Sequence, residues 1–159
     1  MGRYYTQLVC MNGHQITDRL ETFTGMKNFC SDCGSKTISC CQQCNSPISG
    51  DYEVPGVVSI GFQTATPSYC SNCGNSFPWT KKLLDSAVEL LALDTNFDIT
   101  TRELIKNALP DLIVDTPATN LAVAKYQTYI GRTSRVVKDA MHNWLVDVVS
   151  ESVKKSLFS

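Results

Sequence analysis

Cysteine pairs separated by two residues mark the first half of the sequence. The pairs are Cys30 with Cys33, Cys41 with Cys44, and Cys70 with Cys73. Two intervening residues let a tight turn point both sulfurs at one ion, and the glycine or asparagine that follows each pair can turn the chain away at positive φ. A fourth pair, Cys10 and His14, encloses a glycine. The pattern predicts transition-metal coordination.

Four half-sites make two tetrahedral sites, which we assign in sequential order. The first set is Cys10, His14, Cys30 and Cys33, and the second is Cys41, Cys44, Cys70 and Cys73. Gaps of 15 and 25 residues inside the sets leave room for hairpin strands, whereas only seven residues separate the sets. Cross-bracing, as in RING-type domains, is the alternative and ranks lower because RING spacing is shorter between the middle groups.

Two structural Zn²⁺ ions are the predicted cofactors. A histidine ligand and well-separated hairpins favour zinc over an iron–sulfur cluster. Disulfides are the competing use of cysteines, but half-cystines at two-residue spacing would close small strained loops. The N-terminal residues lack the apolar core of a signal peptide, which favours a reducing compartment and a cytoplasmic location. With four ligands each, both sites are predicted to be closed to substrate.

Two positions leave alternatives open. Cys40 stands beside Cys41 and could replace Cys41 or His14 as a ligand, although a partly buried free thiol is the simpler interpretation. His14 could be a surface histidine. It is assigned as a ligand because the first set otherwise has three members, and structural zinc is almost always four-coordinate.

The elements that position these residues divide the chain in two. Residues 1–80 hold all eight cysteines and eight of the nine glycines, whereas residues 81–159 lack cysteine and show helical patterning. We therefore predict an α+β protein with a double zinc-ribbon domain at 1–80, built of small β-hairpins. A compact region of about four helices follows at 81–159.

Local patterns place the strands and helices. Tyr4 and Leu8 precede the first turn in strand-like sequence, Ser49-Gly50 and Pro55-Gly56 are predicted turns, and Val57–Phe62 is the strongest strand candidate. Helices are predicted at about 80–93 with Thr80 as cap, from the Thr100–Glu103 capping box to before Pro110, from Thr116-Pro117 to Gly131, and over about 133–158.

The last predicted helix carries apolar or small pairs every four residues, from Val136-Val137 to Ser156-Leu157. A four-residue step advances about 40° beyond a full turn, so the stripe should wind around a continuous helix. Its two ends are then expected to contact different neighbours. Part of the stripe could contact a second subunit, which predicts a homo-oligomer through this helix.

Other chemistry is weakly represented. Asp94–Asp98 resembles the start of a calcium loop, but Ile99 and Ile105 stand where glycine and glutamate are required, so a loop with Asp98 or Thr100 as helix cap is expected. His142 has no metal partner one turn away and is interpreted as a packing or surface residue. Without a triad, phosphate loop or carboxylate pair, we predict that the protein is not an enzyme.

Composition and charge narrow the function. Hydrophobic residues make up 43% of the 159 residues, which excludes a mainly disordered chain, and no apolar run is long enough to span a bilayer. The formal charge of −1 falls to about −4 with two zinc-thiolate sites. Nucleic-acid binding, the alternative function, is therefore disfavoured. A non-catalytic, zinc-stabilised adaptor that binds a protein partner or itself, away from membranes, is the leading hypothesis.

The sequence also resembles a bacterial family known only as a domain of unknown function. The similarity lies in the Asn12-Gly13-His14 segment, the Cys-Gly turns, Val54–Val57, Phe77–Thr80 and the end of the last helix. It implies a bacterial cytoplasmic zinc-ribbon protein with the eight ligands assigned above, and it implies no activity.

Overall fold

The structure, a computed structural model, describes residues 1–58 and 60–158 and divides into two compact units, Met1–Lys82 and Leu83–Ser159. Unit 1 contains five short strands and unit 2 is helical, which confirms the α+β class. No helix in the described part of the chain is both long and apolar enough to cross a membrane.

Unit 1 is built from two small antiparallel sheets. The strands are β1 (Arg3–Thr6), β2 (Leu8–Cys10), β3 (Gln15–Thr17), β4 (Thr37–Ile38) and β5 (Ser49–Glu53), with a 3-10 turn at Leu20–Thr22. β1 pairs with β5, and β2 lies between β3 and β4. Within the sheet order β3-β2-β4, Cys10 is placed opposite Thr37 on β4. A short core of Val9, Ile38, Ile48 and Phe77 packs against Cys41 and Cys70.

The predicted turn at Ser49-Gly50 is wrong, because both residues begin strand β5. Gly50 is required there for space: a Cβ atom would lie 2.1 Å from the backbone oxygen of Asp18. The backbone of Asp51 donates a hydrogen bond to the same oxygen at 3.0 Å. The glycine therefore permits close approach of two chain segments. Pro55-Gly56 does form a turn, with φ of 82° at Gly56.

The predicted strand at Val57–Phe62 is also wrong for the residues that the structure describes, and Ser59 lies outside them. Val57, Val58, Ile60 and Phe62 belong to no strand, and Gly61 takes a φ of 84°, which interrupts an extended backbone. All four side chains are at least 66% exposed. Among the residues that the structure describes, no strand pairs with this segment, so its β propensity is not matched by a partner.

Six helices follow. They are α1 (Pro78–Ala92), α2 (Ile99–Ala108), α3 (Pro110–Ile113), α4 (Thr119–Ile130), α5 (Arg135–Val148) and α6 (Glu151–Phe158). α1 runs through the predicted domain boundary, so Thr80 lies inside its first turn and does not cap it. Asp98 caps α2 by accepting a hydrogen bond from the Thr101 amide at 2.8 Å, so Asp98 and not Thr100 is the cap. The predicted capping box at Thr100–Glu103 is therefore wrong, because Thr100 already lies inside α2.

Two other helix starts differ from prediction. α4 begins at Thr119 because Thr116 instead forms a turn, its hydroxyl accepting a hydrogen bond from the Ala118 amide at 3.1 Å. The single helix predicted over about 133–158 is two helices, broken at Val149-Ser150. Val149 is extended, with φ of −81° and ψ of 156°, and ends α5.

The predicted winding of the apolar stripe around one helix is wrong, because the stripe spans two helices. One member of each pair is buried in a single core of unit 2: Val137, Met141, Leu145, Val149 and Val153, with Leu157 packed against it. A continuous helix would carry this four-residue series around its axis. Because the break resets the direction of the helix, the same series stays in one core.

Candidate metal centres

Three turns of identical geometry hold the paired cysteines. In each, the first cysteine's amide donates to the carbonyl five residues ahead, and the amide four residues ahead donates back to that cysteine's carbonyl. The first bonds join Cys30 to Ser35, Cys41 to Ser46 and Cys70 to Asn75, each at 2.8 Å. The return bonds come from Gly34, Asn45 and Gly74 at 2.8–2.9 Å.

The residue after each pair takes the left-handed conformation that the sequence predicts. φ is 72° at Gly34, 60° at Asn45 and 75° at Gly74. Asn45 is the only residue other than glycine with positive φ in the described chain. Asparagine tolerates this region better than other side chains do, which is why it can replace glycine in the second turn.

The fourth half-site lies at the turn between β2 and β3. The Gly13 amide donates to the Cys10 carbonyl at 2.9 Å, and the Cys10 amide donates to the His14 carbonyl at 3.0 Å. Gly13 has φ of 91°, and a Cβ atom there would lie 3.0 Å from Cβ of Trp79. Trp79 is fixed in turn by a 2.8 Å hydrogen bond from its Nε1 to the Pro67 carbonyl.

The first cluster brings together Cys10, His14, Cys30 and Cys33. Nδ1 of His14 lies 3.5 Å from Sγ of Cys10 and 3.6 Å from Sγ of Cys30, and Cys10 Sγ lies 3.7 Å from Cys33 Sγ. A tetrahedral ion with metal–sulfur bonds of about 2.3 Å and a metal–nitrogen bond of about 2.0 Å has ligand separations of about 3.8 and 3.5 Å. The spacing fits one such ion.

The second cluster brings together Cys41, Cys44, Cys70 and Cys73. The sulfurs of Cys41 and Cys73, and those of Cys44 and Cys70, are 3.7 Å apart. That separation again fits the edge of a sulfur tetrahedron around one ion, and it greatly exceeds the ~2.05 Å of a disulfide. Both clusters could therefore hold a metal ion.

The clusters follow the sequential pairing, and neither combines half-sites in the cross-braced order. Cys40 belongs to neither cluster: it is a partly buried free thiol in an isolated bridge with Pro47. The alternatives in which Cys40 replaces Cys41 or His14 do not match this arrangement.

Hydrogen-bond donors surround the sulfurs. The amides of His14 and Gln43 donate to Cys10 Sγ at 3.3 Å and to Cys41 Sγ at 3.4 Å. At the exposed side, Nδ2 of Asn75 donates to Cys73 Sγ at 3.4 Å. Such donors stabilise the thiolate form, which is the form that binds metal.

A chain of polar contacts reaches Cys33 from helix α1. Lys82 Nζ donates to Asn12 Oδ1 at 2.8 Å, and Asn12 Nδ2 donates to Cys33 Sγ at 3.4 Å and to Ser35 Oγ at 2.8 Å. Asn12 therefore orients both the thiolate and the neighbouring hydroxyl. Groups of this kind outside the ligand set tune metal affinity.

The pKa values of the cysteine thiols differ within a cluster. Hydrogen bonds from Ser35, with a further contribution from Asn12, lower the pKa of Cys33 to about 5. A hydrogen bond with the Ser46 side chain makes the largest contribution to lowering the pKa of Cys44 to about 5. Burial raises the pKa of Cys10, and hydrogen bonds with Cys33 and Cys30 raise the pKa of His14. Each cluster thus contains at least one thiol whose lowered pKa favours the thiolate, the form that binds metal.

The polar residues around the sulfurs were missed by sequence reasoning. Ser35, Ser46 and Asn75 share one position, two residues after the second cysteine of each pair. The repeat of a small polar residue at this position could have predicted a hydrogen-bond partner for the sulfurs. The contact between Asn12 and Lys82 had no such signal, because 70 residues separate the two.

His142 and Asp94, which the sequence analysis did not assign to a metal site, make packing and hydrogen-bond contacts in unit 2. His142 packs edge-on against the Phe158 ring, with centroids 4.6 Å apart. Asp94, in the rejected calcium-like loop, accepts hydrogen bonds from the amides of Asn96 and Ser134. It thereby connects the end of α1 to the start of α5.

Comparison with known proteins identifies a family. A family model described as an uncharacterized protein conserved in bacteria (DUF2321) matches residues 3–157, which confirms the resemblance to a bacterial family of unknown function. No curated protein and no solved structure matches the chain.

Proposed function

Because the chain belongs to the DUF2321 family of bacterial proteins, whose description carries no activity, we propose a function from its geometry: a non-catalytic, zinc-stabilised interaction protein. In this proposal each cluster holds one structural Zn²⁺. The folded ribbons then present a surface to a protein partner.

The observation that carries the proposal is the closed ligand set of each cluster. Four ligand atoms lie within 4.8 Å of one another in both clusters, and the 3.5–3.7 Å separations described above match the edges of a zinc tetrahedron. A catalytic zinc usually keeps one position for water or substrate, with three protein ligands. Four protein ligands at each position support a structural role.

The chemistry of the donors supports zinc as the ion. Thiolate and imidazole together suit Zn²⁺, whose preferred geometry is tetrahedral. The cysteines are free in the structure, as expected in a reducing compartment, so we place the protein in the cytoplasm.

Charge supports a protein partner over nucleic acid. Arg3, Arg19, Lys27 and Lys36 are the only basic residues among 1–80 apart from His14, and two of them pair with acids. Arg3 binds Glu53 and Arg19 binds Asp51. Nucleic-acid affinity depends on lysine and arginine that can neutralise phosphates.

Elemental analysis of the native protein tests the metal assignment. We expect about two zinc ions per chain in the wild type, and about one after His14→Ala, because three ligands hold zinc poorly. Cys40→Ser is the matched control: it removes a thiol next to a ligand and should keep both ions.

Two outcomes would contradict the assignment. An unchanged zinc content after His14→Ala would remove His14 from the ligand set, and loss of an ion in Cys40→Ser would place Cys40 within it. For the partner class, a gel shift with mixed DNA or RNA at low salt would favour nucleic-acid binding over the proposal.

A further inference from the structure

An exposed apolar loop begins just before the turn at Pro55-Gly56 and continues toward the second cysteine pair of the second cluster. We call the side chains of Val54, Val57, Val58, Ile60 and Phe62 the apolar loop. Their exposed fractions are 41, 66, 81, 80 and 85%. Contiguous apolar patches larger than a few hundred Å² are rare on monomeric proteins and mark interaction sites.

Polar side chains fix the chain where the loop ends. The Thr64 amide donates to Asp18 Oδ2 at 3.0 Å, and its carbonyl accepts from Gln15 Nε2 at 2.6 Å. Gln7, which is completely buried, donates from Nε2 to the Ala65 carbonyl at 3.0 Å. Burying an amide costs free energy unless its hydrogen bonds are made, so these contacts specify where the loop leaves unit 1.

A groove of about 460 Å³ begins at the same two residues. Its walls include Tyr4, Ile48, Ala65, Pro67, Tyr69 and Phe77. No lysine, arginine, aspartate or glutamate lines it. Its volume lies within the range of sites that enclose a ligand-sized group, and the aromatic walls suit an apolar side chain.

The loop and the groove of this chain are matched in charge. Residues 54–69 contain no charged side chain. The residues that line the groove are uncharged as well. A loop inserted into the groove of a second copy therefore leaves no unpaired charge buried between the two copies.

We propose that the apolar loop and the groove form a symmetric interface between two copies of this chain. Each copy inserts its loop side chains into the groove of the other. Because every chain carries both surfaces, the exchange closes on itself in a dimer. The proposal rests on the proposed function, in which metal-stabilised ribbons present a binding surface, and it names a second copy as the partner.

The area is sufficient for a stable dimer. From their exposed fractions, the five side chains offer roughly 600 Å² per chain, or roughly 1,200 Å² for two loops before the groove walls are counted. Stable specific interfaces begin at about 1,200 Å² of total buried surface.

Sedimentation velocity over about 1–100 µM of the full chain tests the dimer, with zinc content measured on every sample. We expect a wild-type dimer. Ile60→Asp should raise its dissociation constant at least about tenfold, because a charge would be buried on the partner. Ala65→Phe should do the same by filling the groove without adding charge. Ile99→Asp, at a 75% exposed position in unit 2 and outside the predicted oligomer helix, is the control and should leave the dimer unchanged.

A wild-type monomer at about 100 µM would overturn the proposal, as would a dimer that Ile60→Asp does not weaken. Binding of the monomer to phosphatidylcholine vesicles, lost in Ile60→Asp, would reassign the loop to a lipid surface and overturn the dimer. Zinc content separates the two proposals. Two ions per chain in a monomer would refute only the dimer, whereas a dimer without zinc would refute the metal assignment.

Discussion

Asn12 illustrates how a single polar side chain can orient and polarise the thiol of a candidate metal ligand. Its amide nitrogen contacts Cys33 Sγ and Ser35 Oγ, while its amide oxygen accepts from Lys82. The lysine fixes which end of the amide faces the sulfur, so the donor and not the acceptor points to the thiolate. Together with Ser35, this arrangement accounts for the low pKa of Cys33.

Asp94 provides a pH-dependent contribution to the stability of unit 2. The Ser134 amide lowers the pKa of Asp94 below its ordinary 3.8. A depressed carboxyl pKa stabilises the folded state above the unfolded value, and this stabilisation is lost as pH falls through the folded value. Asp94→Asn should therefore flatten the loss of stability below about pH 4, as measured by urea unfolding followed by circular dichroism at several pH values.

The exposed Asp147→Asn on α5 is the control, because it removes one carboxylate with the same change of charge. It should keep the wild-type acid dependence. An acid dependence of Asp94→Asn that matched the wild type would show that the hydrogen bonds of Asp94 do not contribute to the slope.

The sequence predicted which residues come together in the two clusters because the turns that hold them are local. A cysteine pair and the glycine or asparagine after it specify one turn, so positive φ at Asn45 could be expected from residue type alone. Gly50 shows the opposite case. Its role depends on the Asp18 carbonyl, 32 positions away, and a turn was the wrong inference from an isolated glycine.

At the scale of elements, the break between α5 and α6 depends on one serine. Ser150 Oγ accepts from the Val153 amide at 3.4 Å and donates to Asp115 at 2.8 Å. Ser150 therefore lies just before α6 and acts as its N-cap. The sequence pattern alone did not show this break, because the apolar spacing of four residues continues through it without interruption.

Ser150→Ala should destabilise unit 2 by about 1 kcal/mol, the usual cost of losing an N-cap. The loss of the Asp115 contact acts in the same direction. Urea unfolding followed by circular dichroism measures the change. Ser156→Ala lies inside α6 and should not destabilise, because alanine favours helix interiors. Equal stability of both variants would contradict the capping role.

The described residues of Val57–Phe62 do not form the predicted strand, and the reason again lies in how the elements are arranged. Its β-branched and aromatic residues predict an extended, half-buried element, but a strand requires a neighbour to pair with. Strand β1 already pairs with β5. In addition, the positive φ of Gly61 interrupts the extended backbone of the segment. Propensity is a property of the residues, whereas pairing depends on the rest of the fold.

At the scale of the whole molecule, the two units have cores of different composition. In unit 1 the core packs around Cys41 and Cys70, which are also candidate ligands. In unit 2 the core is formed by aliphatic and aromatic side chains of the helices, such as Leu91, Leu112 and Met141. All eight candidate ligands lie in unit 1. A metal ion bound at these clusters would therefore stabilise unit 1 and not the core of unit 2.

Removal of metal should unfold unit 1 and leave unit 2 folded. A structural zinc site contributes an apparent ~10–16 kcal/mol to folding, more than a small ribbon core can replace. With a strong chelator, we expect the amide signals of the β1–β5 region to collapse to unfolded positions in heteronuclear NMR spectra. The helical signals of unit 2 should keep their dispersion, since its core contains none of the ligands.

Re-addition of zinc provides the control, because it should restore the signals of unit 1 and leave those of unit 2 where they were. Persistence of the native unit 1 spectrum in metal-free protein would show that its strands need no ion. Simultaneous loss of both sets of signals would show that the helices depend on the ribbons for their own stability, which their separate core argues against.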